Sequence, residues 1–76
     1  MEDLQFIYCK KQFLINGQLN KHLKDLYPII RAKCNISNKI DIKIFSKYYN
    51  NFLDDNYYVT DIYENLNKIK YLEIII

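Results

Sequence analysis

The sequence predicts an α+β domain: two strands, a helix, then two or three more strands, ββαβ(β)β, with a mixed sheet packed on one main helix. Three observations carry that prediction. Ile40, Ile42 and Ile44 alternate with Lys39, Asp41 and Lys43, the period-two pattern of a half-buried strand. Leu19, Leu23, Leu26, Ile30 and Cys34 recur at steps of three and four, one face of an α-helix. Residues 4–15 are dense in aromatic and β-branched types, the composition of a hairpin.

Taken in order, Leu4–Cys9 reads as a first strand and Gln12–Ile15 as its return, with Lys10-Lys11 at the turn between them. Asn16-Gly17 breaks the chain. The helical stripe then runs from Leu19 to Cys34, interrupted by Pro28, which has no N–H and crowds the preceding turn. A helix from about residue 19, kinked near 24–28, keeps Leu19 and Leu23 in phase. The other solution makes Asp25 the N-cap and puts Pro28 in the first turn. Asn35–Asn38 closes the helix, and the Ile40–Ile44 strand follows. Tyr48–Asn51 is a turn, Phe52-Leu53 a very short strand and Asp54–Asn56 a second turn. Thr60 or Asp61 can cap one helical turn through Leu66, and Ile69–Ile76 is the last strand, with Lys68 and Lys70 at its start.

Seventy-six residues make one domain, 1–76, with half the residues apolar, eight Tyr and four Phe. That content excludes a disordered chain. Cys9 and Cys34 make neither a disulfide framework nor a zinc site, which leads us to expect reduced thiols in the cytoplasm or nucleus. No signal peptide or long apolar run is visible, so no membrane association is expected. His22 lacks a nucleophilic partner at a readable spacing, and the acidic residues do not follow a calcium-loop pattern. We therefore expect no catalysis, no cofactor, no metal and no small-molecule substrate.

The charge is unevenly spread. Residues 1–47 carry nine Lys/Arg against four acids, whereas residues 48–76 carry two Lys against five acids. One helix covers one side of a sheet, so an apolar set should be left on the other side. The hairpin supplies candidates on both faces, and Phe45 and Leu72 extend them.

The second half of the chain carries a resemblance. Ile44-Phe45-Ser46-Lys47 looks like the third strand and tight turn of ubiquitin-like domains. Phe52-Leu53-Asp54-Asp55-Asn56 resembles their short fourth strand and acidic turn, and Tyr58-Val59-Thr60-Asp61-Ile62 is similar to their Thr-Leu-Ser-Asp-Tyr segment. Ile69–Ile74 matches the last strand. The resemblance covers about residues 40–74 and implies a β-grasp fold. It departs at the tail: a conjugated modifier ends in Gly-Gly, and this chain ends in Ile76. Lys47 also stands where a Gly is usual. The implied function is a non-conjugated protein-interaction module. Its partner-binding face would hold Phe45, Lys43, Lys47, Lys70 and Leu72. In a variant, the basic first half of one copy docks on the acidic surface of another (Asp54, Asp55, Asp61, Glu64). The alternative is a small nucleic-acid-binding domain using a Lys/Tyr-rich sheet face.

Overall fold

The computed structural model describes residues 3–16 and 21–76. Strands β1 (Asp3–Tyr8) and β2 (Lys11–Asn16) form the expected hairpin. A 3₁₀ turn, Leu23–Leu26, leads into helix α1 (Tyr27–Cys34). Then come β3 (Lys43–Ser46), β4 (Asn51–Leu53), two short helices, α2 (Val59–Glu64) and α3 (Leu66–Ile69), and β5 (Leu72–Ile75). The five strands form one mixed sheet in the order β2-β1-β5-β3-β4. β1 and β5 are parallel at its centre, and the other pairings are antiparallel.

The hairpin turn is Cys9-Lys10, one residue earlier than expected, because Tyr8 pairs with Lys11. Both turn residues have positive φ, 49° and 67°, as a type I′ turn demands. The register follows from burial. It sets Leu4 opposite Ile15 and Phe6 opposite Phe13, putting these four apolar residues on one face, with Leu4, Phe6 and Ile15 buried. The Phe6 and Phe13 rings stack there at 5.9 Å.

Pro28 decides the helix. It lies in the first turn of α1, where its missing N–H costs nothing. The N-cap is Leu26, not Asp25, and no kinked helix runs through 21–26. Asp25 instead accepts the His22 backbone N–H at 2.9 Å, closing a capping box on the 3₁₀ turn. Leu19 lies outside the described residues. Leu23, Leu26 and Ile30 are all buried, so this part of the stripe reaches the core although the backbone changes helix type. α1 ends at Asn35, whose φ of 55° allows the Ile36 N–H to reach the Arg31 carbonyl at 3.0 Å. Arg31 in turn donates to the Ser37 and Ile40 carbonyls, both at 2.6 Å, fixing the path into β3. Ile40 therefore sits outside the strand and is exposed, while Ile42 and Ile44 are buried as the alternation requires.

The segment before α1 is stitched to the loop after β4. Leu23 donates to Tyr57, Lys24 to Asp55, and Val59 to Lys21 through backbone bonds of 2.8–3.0 Å. The core lies between α1 with these loops and one face of the sheet, and includes Leu4, Phe6, Ile30, Ile44, Val59, Ile62 and Leu72. Ser46 is the buried polar residue in this set, and its Oγ accepts the Tyr49 N–H at 3.3 Å.

Candidate interaction surface on the open face of the sheet

The face of the sheet away from α1 is built by strand alternation. In β3, Ile44 and Ser46 point into the core, so Lys43 and Phe45 point out. In β4, Leu53 is buried and Phe52 points out. In β5, Leu72 and Ile74 are buried, which turns Glu73 and Ile75 outward. Cross-strand register then lines up Ile7, Glu73, Phe45 and Phe52 in one row from β1 to β4. Phe45 and Phe52 meet edge to face, with centroids 5.4 Å apart. Lys43 Nζ lies 5.6 Å from the centre of the Phe52 ring, within cation–π reach, and Lys43 pairs with Ile75 on its other side. Phe52 is 47% exposed and Ile75 39%.

Three of the five residues expected on this face are there or at its border: Lys43, Phe45 and Lys47, the last opening the turn after β3. Leu72 is not. It is 1% exposed and packs in the core, because β5 starts at Leu72 and its alternation runs opposite to the expected phase. Lys70 is not on the sheet either. Residues 66–69 form α3, so Ile69 and Lys68 are helical. Lys70 is the hinge between α3 and β5, with φ 62° and ψ −56°, and the Tyr71 N–H reaches back to the Ile69 carbonyl at 2.6 Å. This is a γ-turn of the rare, strained kind. Sequence reasoning missed Glu73, Phe52 and Ile75. The strict outward–inward parity of β5 could have found Glu73 once Leu72 was placed in the core.

The acidic residues divide into two groups. Asp54 and Asp55 leave β4, while Asp61 and Glu64 sit on α2. Asp54 Oδ1 accepts the Asn56 N–H at 2.8 Å, and Asp55 Oδ1 accepts the Tyr27 hydroxyl at 2.6 Å. Burial first and this bond to Asp55 second push the Tyr27 phenol well above its ordinary range. Asp54 and Asp55 share a shallow cleft of about 490 Å³ with Lys43 and Phe52.

A second cleft, about 440 Å³, opens at the hairpin tip, where Cys9 and Phe13 of the hairpin meet Lys33 and Cys34 at the end of α1. Burial, with a smaller contribution from Cys9, raises the Cys34 thiol above its usual value, which keeps it protonated and a poor nucleophile. His22 is occupied structurally: its ring lies 4.7 Å from that of Tyr58, and its Nδ1 is 3.8 Å from Asp25. Among the described residues, no three His, Cys, Asp or Glu side chains gather as metal ligands, and no helix is long and apolar enough to cross a membrane. Comparison of the sequence with family models and with curated proteins finds no match.

Proposed function

We propose that this chain is a ubiquitin-like, β-grasp protein-interaction module that holds a protein partner on its open sheet face, centred on Phe45 and Phe52. The sheet order, with parallel β1 and β5 at the centre and one main helix on one side, supports the β-grasp reading. Fold alone does not choose a function, so the reading rests on the face itself. The observation that carries it is an apolar pair, Phe45 against Phe52, with Ile75 beside it and Ile7 beyond Glu73, on the side α1 leaves uncovered. Exposed apolar patches of this sort mark interaction sites. Lys43 and Lys47 at its border favour a partner whose apolar contact is rimmed by carboxylates.

Two features favour this reading over its rivals. Lys43 lines the same cleft as Asp54 and Asp55, so each copy already holds a cation near its own acidic turn, which weakens the drive for basic-to-acidic docking between copies. Glu73 stands in the middle of the open face, between Ile7 and Phe45, and a carboxylate there repels a phosphate backbone.

The test is partner capture from cell extract, with the bound protein identified and its affinity measured, using wild type, Phe52→Asp and Phe45→Asp. Phe52 is largely exposed, so its change should leave the fold intact. We expect both variants to weaken binding by about 2 kcal/mol, the scale of an aromatic anchor. Undiminished binding by Phe52→Asp would refute the site. Salt-sensitive binding to oligonucleotides would favour the nucleic-acid alternative instead.

A further inference from the structure

The two edges of the sheet differ. β4 is three residues long and runs straight into Asp54 and Asp55, a blunted edge. β2 is six residues long, pairs residue for residue with β1 without a bulge, and contains neither proline nor glycine. Charge appears in it only at Lys11. Such an edge is a template for another strand. The two-residue turn makes Tyr8–Lys11 the first hydrogen-bonded pair, so Phe13 and Ile15 also bond inward to β1. The N–H and C=O groups of Gln12, Leu14 and Asn16 therefore point away from the sheet. Leu14 is 54% exposed.

We propose that a second copy of this chain pairs with this edge, β2 against β2 and antiparallel, about a two-fold axis through Leu14. The strand is complementary to itself in that register. Leu14 faces its counterpart, Gln12 faces the counterpart of Asn16, and Phe13 faces the counterpart of Ile15. Gln12, Leu14 and Asn16 of each copy give and receive one backbone hydrogen bond apiece, leaving none of these groups over. The paired amide side chains of Gln12 and Asn16 can both donate and accept. The two Lys11 ammonium groups lie about 20 Å apart along the strands, too far to oppose the contact. Moving the axis to Phe13 would set Leu14 against glutamine and Lys11 against Ile15, so the Leu14 axis matches like with like. The result is a continuous ten-stranded sheet of the isologous kind. It is independent of the Phe45–Phe52 surface, because β1 and β5 lie between β2 and β3.

Sedimentation equilibrium over a concentration series, at low and at molar salt, tests this. Wild type should form a dimer that persists in high salt, since backbone bonds and apolar contact hold it. Leu14→Pro removes the central outward N–H without touching the β1 ladder. Leu14→Lys places two ammonium groups at the axis and covers the case in which the proline variant misfolds. Each should weaken the dimer about tenfold or more while the far-ultraviolet circular dichroism is unchanged. A wild type that stays monomeric at millimolar concentration overturns the proposal. So does a dimer that Leu14→Lys leaves intact, or one that dissolves in high salt.

Discussion

Cys9, Lys10, Asn35, Asn50 and Lys70 all carry positive φ, and none is glycine. For Asn this is cheap, whereas Cys and Lys pay steric strain against their own Cβ. Replacing Cys9-Lys10 by Asn-Gly, the preferred type I′ pair, should raise stability by about 1 kcal/mol. Lys70→Gly, which relieves the γ-turn, should do the same. In a thermal melt each corresponds to a rise of about 4–8 °C. Side-chain ionisation gives a second prediction at this scale. Burial, followed by a hydrogen bond with Tyr49, pushes the Tyr57 phenol up to about 12 from its ordinary 10.0. The unfolded chain thus releases this proton first, and above pH 10 it binds fewer protons than the native state. The stabilisation is complete below pH 10 and disappears as pH rises to about 12. Burial shifts Tyr8 and Tyr27 in the same direction. Urea midpoints should therefore fall as pH climbs through that window, and Tyr57→Phe should flatten the fall. Residue roles were only partly legible in the sequence. The turn position depended on matching Leu4 with Ile15 and Phe6 with Phe13, a tertiary choice that local composition at 9–11 does not contain. Likewise, nothing local to Lys70 announces a γ-turn.

At the scale of elements, periodicity was legible and backbone type was not. The 40–44 alternation correctly assigned Ile42 and Ile44 to the core, and Leu23, Leu26 and Ile30 fell on the buried side of their segment. What Pro28 did to that segment was open, because a kinked helix and a late helix start both keep the stripe in phase. The 3₁₀ turn settles it, and Asp25 closes that turn rather than α1. Asp25→Ala should cost about 1 kcal/mol, measured by denaturant unfolding, through loss of its bond to the His22 N–H. The last strand was read too long. Ile69 satisfies either a strand or a short helix, and packing chose the helix, shifting β5 to Leu72–Ile75. That shift is why Leu72 was expected outside and is found inside.

At the scale of the whole molecule, the α+β layout and the single main helix were legible from the order of patterns. The central position of β5 was implied only by the resemblance to ubiquitin-like domains, since strand order is a property of closure rather than of any segment. So small a core has little redundancy. Phe6 is fully buried at its centre, and Phe6→Ala should cost about 3–5 kcal/mol, a large share of the whole stability of such a domain. A cooperative thermal transition lost or moved close to room temperature is the expected outcome, and a melt like wild type would contradict the packing described.

The parallel pairing of Phe6 with Leu72 joins the first strand to the last. During synthesis the hairpin leaves the ribosome before β5, with the apolar face of Leu4, Phe6 and Ile15 and one flank of β1 unoccupied. Everything from α1 to α3 must follow before β5 can fill that flank, so the nascent hairpin waits in a sticky, half-finished state. Contacts this distant along the chain slow folding and lengthen the time open to mispairing. The yield of this protein should therefore depend on how fast translation passes from β2 to β5, and on what shields the hairpin until it does.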